Sequence, residues 1–449
     1  MTPWLTLRVR PALLALLGSR MVMPHPAFAN HGNPIERQNT SQQVYHIHDR
    51  EEQHLQDLLA SAQSHLNQHD YASAAGEFQQ YLAERPDSAA IHFQLGYAFT
   101  ALKQPTDAAR EYGKAAELDP KMAAAQLNLG LTLLERDPAG AVAPLRQATA
   151  LMPNEARPEF LLGWAQERSG HSAEAIENYR AAEKLDARDF DIYLALARTL
   201  LAAKQIPDAQ TQFQEALAIK PDSAAAHLGL AQCLIALAKP ADAVTELREY
   251  LKIVPGDAET RLQLAQVFQD QGNMAQALGE LQLVSGTLGA PAKKMEAEIY
   301  EQQKDTIRAT AALAQVIAAA PRDAEAHAEL GRLYFRAKNY PAAAKELAAA
   351  YQLDSRDDTL LKDLASAHYL GGDFPGALKV LAMVEQSRPL MVNEWYLRAL
   401  CNDKLDLVPD AYAAFEKFLE LNKGAENDEY FVASARARVL QSELKNKKK

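Results

Sequence analysis

Few side chains in this sequence combine reactive chemistry with a useful spacing. His46, His48 and His54 lie close together with Asp49, and imidazole and carboxylate are metal ligands. The segment that carries them, residues 30–54, is polar and without a sustained helical period. It reads as a flexible lead-in with no fourth ligand fixed nearby, so no metal site is expected. Cys233 and Cys401 are the only cysteines, and both read as small buried apolar residues. Paired carboxylates are plentiful but fall on polar faces. The sequence has no G-x-x-x-x-G-K-[ST] phosphate loop, no G-x-G-x-x-G, no G-x-S-x-G and no H-E-x-x-H. No catalytic residue and no cofactor is therefore expected, and the chain reads as a non-enzyme.

The informative spacing is longer than any such motif. Over Ala89–Met122 the skeleton is Leu95-Gly96, Phe99, Ala108, Tyr112, Ala115 and Pro120. With Ala89 as the first place, small residues take the eighth and twentieth places and bulky apolar ones the seventh, eleventh and twenty-fourth. A proline takes the thirty-second. The skeleton returns at Leu196, Ala197, Leu200, Ala209, Phe213, Ala216 and Pro221, displaced by 101 residues, which is three units of 34 less one deletion. His92, His227 and His327 each fall on the fourth place. Apolar residues three or four apart make each half-unit an amphipathic helix. Helices of about a dozen residues are marginal alone in water, so each must bury its stripe on its partner and on the next unit. Gly96, Gly130, Gly163 and Gly331 mark close helix crossings opposite the small residue at the twentieth place. Proline at Pro120, Pro153, Pro221, Pro255, Pro321 and Pro389 ends the second helix.

This pattern resembles the tetratricopeptide repeat in both period and residue order. The resemblance implies an all-α fold, a right-handed α-solenoid of helix-turn-helix repeats wound as a superhelix. It also implies a packing residue at the fourth place, where this chain has His92, His227 and His327. The expected organisation is a signal peptide at 1–29, the lead-in at 30–54, about eleven repeats over 55–425, and a capping helix with a basic tail at 426–449. Repeat three is one residue short in the turn Arg136–Gly140. Repeat seven ends irregularly at Gly286-Thr287-Leu288-Gly289-Ala290-Pro291, where glycine and proline favour a turn. Repeat one carries polar Ser61 and His65 at two apolar places, as an end unit facing water does. In the last helix Val432, Ala435, Val439 and Leu440 alternate with charge.

The N terminus has Arg8 and Arg10, an apolar run at Leu13–Leu17, and Ala27-Phe28-Ala29 resembling a cleavage site. Export to a periplasmic or extracellular space is expected, with a cytoplasmic leader as the alternative. Cleavage after Ala29 would remove three arginines and take the net charge from −11 to −14. That sign points away from nucleic acid as a partner. No later stretch approaches the ~20 apolar residues of a membrane span.

A protein or peptide partner follows from the resemblance, which places the second, fifth, ninth and twelfth residues of each first helix on a concave groove. An apolar zone then contains Phe93, Tyr97, Leu127, Leu131, Leu134, Phe160, Trp164, Leu194, Leu201, Leu228 and Ile235. A polar zone contains Gln266, Gln269, Lys294, Glu298, Glu301, Arg332, Lys362 and Tyr369, with Arg336 one turn from Arg332 as a receiver for acidic peptide. The family often has a polar residue at the ninth of these helix positions, and here it is Tyr97, Leu131 and Trp164 in succession. The carboxylate clamp of some tetratricopeptide co-chaperones is broken. Asn128 and Arg157 match it, but Phe93 and Tyr97 stand for its lysine and first asparagine, and Leu161 for its last arginine. The function implied is a non-catalytic adaptor that binds a peptide or protein segment in the groove. The alternatives are a self-associating scaffold, or an accessory subunit of cell-envelope or polysaccharide export machinery.

Overall fold

The computed structural model describes residues 41–355, 357–423 and 428–446. The leader 1–29 lies outside them. Among the described residues there are 23 α-helices and no strand. They pair as helix-turn-helix repeats, an array of the α-solenoid class. A typical repeat is Ala89–Ala101 followed by Pro105–Leu118, with 13 and 14 residues. The second helices stop at Leu118, Leu151, Ile219, Ile253, Ala319 and Ser387, each two residues before the predicted proline. The array falls into two compact units, Met1–Ile253 and Val254–Lys449, divided between the sixth and seventh repeats.

One turn conformation recurs between the two helices of a repeat. The fifteenth place has positive φ in ten repeats: His69, Lys103, Gly170, Lys204, Ala238, Gly272, Lys304, Lys338, Gly372 and Asp406. A left-handed residue there reverses the chain in the fewest residues. Glycine adopts it without strain, whereas a residue with Cβ does so at a cost of roughly 1–2 kcal/mol. The third repeat has lost one residue at this turn, which lies at 134–137 and not at Arg136–Gly140, since Pro138–Gly140 begin the second helix and the first is shortened to Ala123–Leu133.

The predicted glycine crossings are present, but what fills them differs from the sequence reading. A Cβ on Gly96 would lie 2.8 Å from the Tyr112 ring, and one on Gly163 2.8 Å from the Tyr179 ring. The side chain at the twenty-fourth place therefore occupies the gap, joined at Gly163 by the backbone oxygen of Ala175 from the twentieth place at 3.2 Å. Gly229 was not singled out by its spacing. It receives Phe213 from the preceding repeat, with Phe213 Cζ only 2.2 Å from where a Cβ would be.

Three further expectations are corrected. The first helix runs Ser41–Asn67, so residues 41–53 are helical and not an irregular lead-in. The helix is anchored further along by the buried Leu55, Ala62 and Leu66, and Gln53 Nε2 donates to Asp57 Oδ1 at 2.9 Å one turn on. Ser61 and His65 do not simply face water. Both bind the Glu77 carboxylate of the second helix, at 2.7 and 2.9 Å. The last helix, Asp428–Asn446, packs through Ala433, Ala437, Leu440 and Leu444 against Phe415 and Phe418. Val432, Ala435 and Val439 are exposed, because small residues at 433 and 437 permit the closer approach.

The seventh repeat ends as its glycines and proline imply. Its second helix is only Met274–Leu281, with 8 residues, and a short 3-10 turn at Gly286–Leu288 leads to the next helix at Gly289.

Candidate functional site

In the first unit, the apolar zone divides into two depths. Phe93, Leu127, Phe160 and Leu194 are buried, Phe93 and Leu127 to 0% and 1% exposure. They do not line a surface, which corrects the sequence reading. Phe93 and Phe160 turn in on their own repeats, Phe93 against Tyr112 with ring centres 5.5 Å apart and Phe160 against Tyr179 at 5.7 Å, and Leu127 and Leu194 join the apolar core. Tyr97, Leu131 and Trp164 are half-buried, as are Leu201, Leu228 and Ile235. They rest on the core and keep one side toward solvent. The fifth and ninth positions of a helix share one face, four residues and about 400° apart, so an offset of only about 40° and one turn of rise separates the buried side chain from the half-buried one.

Tyr97, Leu131 and Trp164 occupy the same place on three consecutive first helices. Tyr71 extends the row, its ring edge-on to Tyr97 at 6.2 Å. Burial, reinforced by Tyr71, raises the Tyr97 hydroxyl above its usual pKa. Burial likewise raises the carboxyls of Glu159 and Asp191, on the first helices of repeats four and five. These shifts mark poorly hydrated surroundings. Asn128 is 1% exposed and its side-chain nitrogen lacks a hydrogen-bond partner in the structure, yet it lies too deep to meet a ligand directly.

In the second unit, the predicted cations are already engaged. Lys294 binds Asp323, the N-cap of the next first helix, at 3.0 Å and Glu325 of the following repeat at 2.8 Å. Burial lowers its pKa, but those two hydrogen bonds outweigh it and the net shift is upward. Arg332 reaches Asp363 of the next repeat at 3.2 Å, and Arg336 pairs back to Glu301 of the previous one. Lys362 is exposed. Lys294, Arg332 and Arg336 thus tie first helices together, and their charge is matched before any acidic peptide arrives.

The fourth-place histidines do more than fill space. His92 Nδ1 is 2.7 Å from Glu111 and its Nε2 is 2.9 Å from the Pro86 carbonyl. His227 spans Glu246 and the Pro221 carbonyl, and His327 spans Glu346 and the Pro321 carbonyl. Arg261 makes the same bracket to Glu280 and the Pro255 carbonyl. The bracket joins the start of a first helix to its second helix and to the incoming turn. The regular spacing of 19 from each histidine to its glutamate was the sequence signal for it.

Cys233 and Cys401 are both buried. Burial pushes their thiols up to about 11 and about 12, which leaves little thiolate at neutral pH. No group of acids, histidines and cysteines among the described residues is arranged to hold a metal. No helix among them is long and apolar enough to cross a membrane.

The tetratricopeptide repeat profile matches residues 59–123, 160–206, 194–258 and 294–358. The chain belongs to the tetratricopeptide repeat family, whose members are scaffolds for protein–protein interaction. Comparison with curated proteins gives no match. Among solved structures, it is similar to the MamA protein at 21% identity, over 38% of this chain and 94% of that one, with a TM-score of 0.36. It is also similar to YrrB, described as a TPR protein with an unusual peptide-binding site, at 18% identity over 42% and 97% with a TM-score of 0.38. A third is the C-terminal part of a TPR repeat-containing protein from Cytophaga hutchinsonii, at 17% identity over 60% and 97% with a TM-score of 0.41.

Proposed function

We propose that the first unit binds a protein or peptide segment through the row Tyr97, Leu131 and Trp164, held in place by the core beneath them. The observation that carries this reading is the partial exposure of three large apolar side chains at one place in successive repeats. Aromatic residues held rigidly with one face open are typical anchors for a partner. The occupant is a segment with bulky apolar side chains, extended or helical. The chemistry of the row offers hydrophobic contact and no reactive group, so the role is recognition without catalysis. The leader residues 1–29 support placing the mature chain outside the cytoplasm. N-terminal sequencing of the expressed protein tests that placement: Asn30 as the first residue supports it, and Met1 contradicts it.

Selection from a random peptide library against the full chain tests the row. Enriched peptides should carry regularly spaced bulky apolar residues, and a Tyr97→Gln, Leu131→Gln, Trp164→Gln variant should not retain them. Enrichment of charged peptides, or equal retention by the folded variant, would overturn the reading.

A further inference from the structure

The last helix, Asp428–Asn446, turns a second apolar face away from the array. Its inner stripe is Ala433, Ala437, Leu440 and Leu444. On the opposite side, Phe431, Val432 and Val439 are 60%, 54% and 47% exposed, with Ala435 between them and exposed as well. These positions share one helical face by the 3.6-residue period. A solitary capping helix has no use for such a row, since the inner stripe already closes the array.

The charges on this helix fall into two groups. Arg436 is committed inward, bidentate to Asp403 with the shortest bond at 2.7 Å, and Gln441 donates to the Tyr412 hydroxyl at 3.1 Å. Asp428, Arg438 and Lys445 are exposed and hold no ion pair among the described residues. The acids Asp428 and Glu429 stand at the N-terminal end of the helix, and the unpaired bases Arg438 and Lys445 stand toward its C-terminal end, where Glu443 is paired with Arg436 at 3.7 Å. That order suits the helix dipole. It also makes the face complementary to itself when a second copy runs antiparallel.

We propose that the outward face of Asp428–Asn446 is a homodimer interface, occupied by the same helix of a second copy in antiparallel order. A twofold axis at Ala435 sets Phe431 of each copy against Val439 of the other. The small side chain at the axis allows close approach of the two helices. Asp428 then comes within one turn of Arg438 and Lys445 of the second copy, and the symmetry repeats the contact at the other end. Such an isologous contact closes on itself and stops at two chains. A partner of one charge sign would match only half of the row, whereas a second copy matches both ends together. The proposal is independent of the row in the first unit.

The test is the solution mass of the full chain by sedimentation velocity over a range of concentrations. Wild type should sediment as two chains. Val432→Glu with Val439→Glu should sediment as one, with helical circular dichroism unchanged because both side chains are exposed. Asp428→Lys should weaken dimerisation roughly ten-fold, and adding Arg438→Asp and Lys445→Asp should restore it, since charge complementarity governs such pairing. A single-chain mass for wild type at every concentration would overturn the proposal. A dimer that survives the double valine substitution, or a reversal of charges that restores nothing, would overturn it too.

Discussion

The two compact units, Met1–Ile253 and Val254–Lys449, share a repeat but join their repeats by apolar packing and ion pairs in different proportion. In the first unit one apolar cluster runs without a break from Leu127 through Ala243, across four repeats. Its joints are shape matches such as Phe213 seated over Gly229. In the second unit the apolar core forms shorter clusters of about two repeats each. Ion pairs between repeats are more frequent there, with Lys294 to Glu325, Arg332 to Asp363, Arg336 to Glu301 and Arg388 to Glu394, against Arg180 to Asp208 in the first unit. The same helical scaffold thus leaves an apolar row open in one half and spends its charges on internal ties in the other. A repeat places its residues by period, and the residue type then decides whether a place serves packing, pairing or a partner.

Each unit carries one buried cysteine, Cys233 or Cys401, held unreactive by burial. Thiol labelling against denaturant therefore reads the two units separately. The largest effect is expected from Gly229→Leu, which forces a side chain into the space of a fully buried Phe213. Overpacking there should cost about 3 kcal/mol and expose Cys233 at lower denaturant, more than it shifts Cys401. An unchanged Cys233 profile would mean that the joint between repeats five and six is not held by that contact.

Arg388→Ala is the matching break in the second unit. It strands Glu394, which is 5% exposed and receives two bonds from Arg388, at 2.7 and 2.8 Å. Removing one partner of a buried pair should cost roughly 3 kcal/mol at most and advance Cys401 labelling. The hydrogen bonds from Arg388 hold the Glu394 carboxyl below its ordinary value. Its stabilising effect is therefore complete above the usual carboxylate range and is lost as pH falls through the depressed native value. Wild type should lose Cys401 protection in that acid window, and Arg388→Ala should show a shallower acid dependence. Parallel acid profiles for the two proteins would exclude this contribution.

Substitution at the fifteenth place should act alike in both units, which separates fold from joint. Lys204→Gly and Lys338→Gly relieve a left-handed residue with φ of 60° and 61° and should each stabilise by about 0.5–1 kcal/mol. Thermal melting that shows stabilisation in one unit alone would mean the turn is not equivalent across the array. The smallest effect is that of salt. Raising ionic strength to about 0.5 M should weaken the partly exposed pairs of the second unit by about 0.5 kcal/mol and leave Cys233 labelling nearly unchanged.

Much of this was legible in the sequence because the period fixes which residues meet. The helix pairs, their prolines, the shortened third turn and the glycine crossings all follow from spacing. Burial at the fifth position against half-exposure at the ninth was harder to read, because Phe93 and Tyr97 are both large and apolar. Only the packed second helix tells them apart. The ion pairs that bind repeats together were hidden for a similar reason. Lys294 and Glu325 are 31 residues apart, so their meeting depends on how one repeat sits on the next. The two faces of the last helix were confused because alanine at 433 and 437 gives a weak apolar signal, while Val432 and Val439 give a strong one on the outward side.

The most direct test of the account is titration of a library-selected apolar peptide into the full chain and into the Tyr97→Gln, Leu131→Gln, Trp164→Gln variant. Cys233 labelling serves in parallel as the report of an intact first unit. The account predicts affinity at least roughly 100-fold weaker in the variant, as loss of anchor residues gives, with Cys233 still protected. Equal affinity, or loss of Cys233 protection in native buffer, would contradict it and return those three side chains to the core.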